Sequence, residues 1–104
     1  MNHVRIDMLE KAIAEDPSDP FNHYALALEL QQTDPDKSAA LFDEILTNHP
    51  DYQPVYYMAG TFYADIGQQA KAHEILTKGV ELAKSNSDYK TMRELLSAIQ
   101  NMES

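Results

Sequence analysis

Apolar positions along the chain recur at helical rather than strand spacing, and prolines, glycines and short polar runs cut that pattern into segments. Between residues 4 and 15, Ile6, Leu9, Ala12 and Ile13 share one face. Asp16-Pro17 then stops the helix, because the residue before a proline avoids the helical region. This predicts a first helix over 3–15. Asp19-Pro20 supplies a cap and a first-turn proline for a second, over 20–32, whose stretch Phe21, Tyr24, Ala25, Leu26, Ala27, Leu28 and Leu30 is apolar nearly all round. Thr33-Asp34-Pro35-Asp36 reads as a tight turn into a third, over 35–48, carrying Ala39, Leu41, Phe42, Ile45 and Leu46 and ended at His49-Pro50.

Pro54 opens a fourth segment, 53–66, with Tyr56, Ala59, Gly60, Phe62, Tyr63 and Ile66, and Gly67 is placed to end it as a left-handed cap. Ala70, Ala72, Ile75, Leu76, Val80 and Leu82 carry a fifth helix to residue 84, where the polar run Ser85-Asn86-Ser87-Asp88 breaks it and offers caps for a sixth. That last helix, 88–102, has Tyr89, Met92, Leu95, Leu96, Ile99 and Met102 on one stripe, with Lys90, Arg93, Glu94 and Gln100 off it. The expectation is an all-α chain of about six helices joined by short turns.

The segments repeat. Pro17 and Pro50 follow the first and third helices; twelve residues before them stand Arg5 and Ser38, eight before Leu9 and Phe42, and five before Ala12 and Ile45. In the fifth helix the equivalent places are Ala72, Leu76 and Gly79, with Lys84 where the proline would be. His23-x-x-Leu26-Ala27-x-x-Leu30 lies 33 residues before Tyr56-x-x-Ala59-Gly60-x-x-Tyr63. A period of this length signals a stacked array. Small Ala27 and Gly60 let paired helices approach, while Leu30, Tyr63, Phe42 and Leu76 fill the seam, which is packing and not chemistry.

With this spacing the chain resembles the tetratricopeptide repeat (TPR) family, of the small bacterial type. In that family's pattern an aromatic, a large-small pair and a second aromatic mark the first helix. A small residue, an aromatic four later and a closing proline mark the second. Tyr56, Gly60, Tyr63, Gly67, Ala72 and Leu76 keep the spacing over 53–84. The departures are His23 for the first aromatic, Ser38 and Arg5 for the small residue, Lys84 for the proline, and a first unit one residue short at Thr33-Asp34. The resemblance implies antiparallel helix pairs stacked as a short right-handed superhelix. It implies a single domain over 1–104, with 3–15 the trailing helix of a partial repeat, 19–50 and 53–84 two full units, and 88–102 a C-terminal capping helix.

What the resemblance implies for function is a concave surface, lined by the first helix of each pair, that holds a peptide or a segment of a partner protein. On this chain that surface would present Phe21, Tyr24, Leu28 and Gln31 from the second helix, and Pro54, Tyr57, Thr61, Ala64 and Asp65 from the fourth. The second helix equally fits a buried element with Phe21, Tyr24 and Leu28 in the core. Tyr57 is the stronger binding candidate, since Tyr56 and Tyr63 already serve the seam. Some relatives grip a chaperone's C-terminal carboxylate with Lys, Arg and Asn on these helices; here the second and fourth helices contain no Lys or Arg, so that reading is set aside.

Charge narrows the field. Seventeen acidic residues against eight basic give a net charge of −9, with no Lys/Arg cluster to neutralise a phosphate backbone, so nucleic acid is not the expected partner. The same charge repels anionic membranes, and no apolar run approaches the roughly 18 to 20 residues of a spanning helix. There is no cysteine, hence no disulfide, thiolate nucleophile or cysteine-based metal site. The N-terminus, broken by Asp7, Glu10 and Lys11, lacks the apolar core of a secretory signal, and a cytoplasmic location is expected.

His3, His23, His49 and His73 show no pairing that would set two metal ligands on one helical face, so neither metal nor cofactor is expected. No phosphate loop or nucleophile elbow is visible, and an enzyme is not expected. Asp7-Glu10-Lys11-Glu15 and Lys71-Glu74-Lys78-Glu81 read as solvated faces, or else as charges that select a basic partner. The leading expectation is therefore a protein-interaction module, monomeric or weakly dimeric. The alternative is an assembly protein that self-associates through open helical ends around Ile6, Leu9, Met92 and Ile99.

Overall fold

A computed structural model describes residues 3–103. Among them are six α-helices and no strand: α1 His3–Glu15, α2 Pro20–Leu30, α3 Pro35–Asn48, α4 Pro54–Asp65, α5 Gln69–Ser85 and α6 Tyr89–Glu103. Each lies within two residues of its expected bounds at either end. The caps explain the starts. Asp19 accepts a hydrogen bond from the Phe21 amide at 3.0 Å, Asp34 from the Lys37 amide at 3.2 Å, and Asp88 from the Thr91 amide at 3.1 Å. Pro20, Pro35 and Pro54 occupy the first turns of α2, α3 and α4, where a missing N–H costs nothing.

The chain falls into two compact units, Met1–Tyr52 and Gln53–Ser104. In the first, α2 packs against both α1 and α3. Its core joins Leu26, Ala27 and Leu30 with Ile6 and Leu9 from α1 and Leu41, Phe42 and Ile45 from α3. The departures from the repeat pattern find local solutions. Ser38 is fully buried and donates its hydroxyl to the Ala27 carbonyl at 2.7 Å, so the position stays small and its polar atom is satisfied. His23 is also buried, with Nδ1 3.1 Å from the Asp19 carbonyl and Nε2 3.5 Å from the Glu44 carboxylate. Arg5 stays at the surface and pairs with Glu29 at 3.2 Å.

In the second unit α5 packs against α4 and α6, and those two also touch. The short turns reverse direction twice, so α4 and α6 run the same way. Close approach explains the two helical glycines. A Cβ on Gly60 would collide with the Leu76 side chain, 2.5 Å from its Cγ; one on Gly79 would sit 2.6 Å from Tyr56 Cβ and 3.1 Å from Leu95 Cδ1. Tyr56 and Tyr63 are buried in this seam as expected. The Lys71 ammonium lies 4.3 Å from the centre of the Tyr63 ring.

Gly67 does adopt the left-handed conformation, φ +87°, with the Gln68 amide reaching back to the Tyr63 carbonyl at 2.9 Å. Ser87 repeats the motif at φ 57°, with the Asp88 amide bonded to the Ala83 carbonyl at 2.8 Å. Because Lys84 stands in place of the repeat's closing proline, α5 continues to Ser85 and reaches 17 residues, against 14 for α3.

Candidate functional site

The site is built on α4 and α6 of the second unit. Gln53, just ahead of α4, donates from Nε2 to Asp88 Oδ2 at 2.6 Å and accepts at Oε1 from Asn86 Nδ2 at 2.9 Å. The hydrogen bonds from Thr91 and Gln53 hold the Asp88 carboxyl below the usual carboxylate range, with a smaller contribution from Lys90. This network fixes the start of α6 beside the start of α4.

The consequence is a groove along the two helices with Tyr57 in its middle. Tyr57 is 41% exposed, unlike its buried neighbours Tyr56 and Tyr63. On one side of it Lys90, Arg93, Glu94 and Ser97 of α6 line an open cleft. On the other, Tyr57, Thr61, Ala64 and Asp65 of α4 line, with Ala98, Asn101 and Met102 of α6 and Gln69 of α5, a cleft of about 350 Å³. The Thr61 hydroxyl donates to the Tyr57 carbonyl at 2.9 Å, in the preceding turn of its own helix.

Four of the residues expected on the fourth helix, Tyr57, Thr61, Ala64 and Asp65, are thus brought together. Pro54 is exposed as the first residue of α4 but is not among those lining the two clefts. What sequence reasoning missed is the contribution of α6, treated as a cap. Lys90 and Arg93 lie off its apolar stripe, and that is the available signal: α6 follows α5 as α4 follows α3, so its polar face falls where α4 presents Tyr57.

The residues expected on the second helix belong to the first unit. Phe21 is 57% exposed, which overturns its reading as core. Tyr24, Leu28 and Gln31 are half-buried. Tyr24 meets Tyr52 edge to face at 5.6 Å between ring centres, and burial raises the ionisation of both phenols above the ordinary tyrosine value. Along α1, Val4 and Met8 are exposed and, with Leu9, Ala12 and Asn22, line an apolar cleft. Ile6 and Leu9 are buried, and Met92 and Ile99 half-buried.

Among the described residues no cluster of three His, Cys, Asp or Glu side chains is placed to hold a metal ion, and no helix is long and apolar enough to cross a membrane.

Comparison with known proteins agrees with this architecture. A family model described as tetratricopeptide repeat matches residues 29–96. The solution structure of a tetratricopeptide repeat domain protein from Salinibacter ruber is 35% identical and superposes with a TM-score of 0.78, covering 85% of this chain and 90% of that one. A crystal structure of the tetratricopeptide repeat domain protein from the same organism gives 34% identity and a TM-score of 0.74, over 82% and 96% of the two chains. Interferon-induced protein with tetratricopeptide repeats 2 from Cricetulus griseus is 28% identical over 82 residues, 79% of this chain; the match spans 18% of that protein's length. By its helix pairs, its small-against-large seams and these matches, the chain belongs to the tetratricopeptide repeat family, whose fold generally mediates protein–protein interaction.

Proposed function

We propose that the chain is a non-catalytic binding module that takes an extended segment of a partner protein along the α4–α6 face, with Tyr57 as the central contact. The observation that carries this reading is the exposure of Tyr57 between two clefts while the tyrosines on either side of it serve the core. An exposed aromatic ring with a polar tip, set in a concave surface, gives large contact area at small entropic cost. The α2 face of Phe21, Tyr24, Leu28 and Gln31 is proposed as a further contact surface in the first unit. A cytoplasmic setting, a protein or peptide partner and the absence of nucleic-acid and membrane binding belong to the same reading, which the net charge of −9 supports.

The test compares Tyr57→Ala with Glu74→Ala, a change on the exposed side of α5, for affinity to the partner that the wild-type chain retains. The reading expects loss with the first only; equal affinity for both variants overturns it.

A second reading, self-association through helical ends, draws on the exposed Val4 and Met8 beside the apolar cleft on α1. Light scattering at two concentrations separates the two. A mass that rises with concentration and falls back on Met8→Glu supports self-association; a constant monomer mass removes it.

A further inference from the structure

Two charges of opposite sign mark the two ends of the α4–α6 groove. Arg93 lines the cleft on one side of Tyr57 and engages no partner among the described residues. Asp65 lines the cleft on the other side and is likewise exposed and unpartnered there. Between them the surface is formed by the Tyr57 ring with Ala64, Ala98 and Met102, and by the polar Thr61 and Asn101. Resting on the reading that this face binds a partner segment, we propose that the groove selects by charge order: an acidic side chain at Arg93, an aliphatic one over Tyr57, and a basic one at Asp65.

The neighbouring charges sharpen this assignment. Asp88, at the start of α6, has its carboxylate engaged by Gln53 and Thr91. Glu94 lines the same cleft and keeps the local positive charge small, which admits one carboxylate and disfavours a run of them. The overall charge of −9 acts in the same direction against a polyacidic partner. A guanidinium with free donors forms a paired contact with a single carboxylate, which fixes register as well as adding affinity.

Spacing follows from helix geometry. Tyr57 and Asp65 are eight residues apart on α4, about 12 Å at the helical rise. An extended chain covers that distance in about four residues, so the basic residue stands about four positions from the aliphatic one, with the acid on the aliphatic residue's other side. A strand that fills the clefts on both sides of Tyr57 meets Arg93 with a side-chain carboxylate.

The test uses short peptides, acetylated and amidated so that no terminal charge remains, titrated into the full chain with backbone amides followed by NMR. One carries Lys about four positions from a central Leu with Glu on the Leu's other side, a second has the two charges exchanged, and a third has the two charges adjacent. The expected result is that one charge order shifts Thr61, Arg93 and Ser97 and binds about tenfold tighter than the other two peptides. The double variant Arg93→Glu, Asp65→Lys reverses the preferred order. Both positions are exposed, and circular dichroism of the variant checks that the helices are retained. Equal binding of all three peptides, still lost on Tyr57→Ala, overturns the charge assignment while leaving the binding face standing. Binding only of an uncapped peptide, through its terminal carboxylate, overturns it as well. If no peptide moves any α4 or α6 amide, the binding face itself falls with it.

Discussion

The Nε2 of Gln53 lies 2.6 Å from Oδ2 of Asp88, and this one hydrogen bond links the residue before α4 to the residue before α6. Asp88 also caps α6 through the Thr91 amide, so one carboxylate both starts a helix and docks it beside Tyr57. Asp88→Asn is isosteric but uncharged and presents an amide where Oδ2 meets the Gln53 donor. The folded-state ionisation of Asp88 is depressed, so its contribution is present above the unfolded carboxylate value and is lost as pH falls through the lower folded value. The variant should therefore melt below the wild type at neutral pH, and the gap in Tm should close in strong acid. A gap that stays constant across that range would show that the charge of Asp88 has no part in docking α6.

Ser87 and Gly67 occupy the same left-handed turn position with opposite consequences. A side chain costs about 1 kcal/mol there, and glycine does not. Ser87→Gly is expected to stabilise the chain by about 0.5 kcal/mol after its greater unfolded-state entropy is subtracted, and Gly67→Ala to destabilise it by about 1 kcal/mol. Urea unfolding of both variants checks the signs.

Gly60 and Tyr57 are close in sequence yet separate packing from binding. Leu at position 60 meets the Leu76 side chain and wedges α4 from α5, with an expected loss of about 3 kcal/mol or more. Tyr57→Ala should cost under about 1 kcal/mol of stability, since its ring is substantially exposed, while weakening partner binding. Equal stability losses for the two would make Tyr57 a packing residue and remove the proposed face.

Ser38 tests the other seam. Its hydroxyl is buried and donates to the Ala27 carbonyl, so Ser38→Ala removes one hydrogen bond without changing the close approach of α2 and α3. The expected cost is about 1 kcal/mol. Ser38→Leu should cost several times more by thermal melting, because the position is small for steric reasons first.

The helices were legible because punctuation and periodicity agree along the chain. Asp19-Pro20 and Asp34-Pro35 carry caps and first-turn prolines, and Gly67 carries the left-handed stop. The repeat spacing identified Ala27, Gly60 and Leu76 as seam residues because small-against-large packing leaves a regular trace in sequence. The binding face was legible in part. Tyr57 stood out because Tyr56 and Tyr63 account for the core, but the partners it faces on α6 did not. Lys90, Arg93 and Ser97 come beside Tyr57 through the Gln53–Asp88–Asn86 network, a set of side-chain bonds across 33 to 35 residues that no periodicity encodes. Phe21 was left open between the surface and the core for a different reason: on a helix apolar nearly all round, composition does not show which side meets solvent.

The central claim, that a partner segment lies against Tyr57, is tested most directly by placing a photo-crosslinking benzoylphenylalanine at position 57 and, separately, at position 74 on the exposed side of α5. The account predicts adducts at 57 that map to one short segment of another protein, and none at 74. Adducts at 74 but not at 57, or adducts at 57 only to a second copy of the chain, would contradict it.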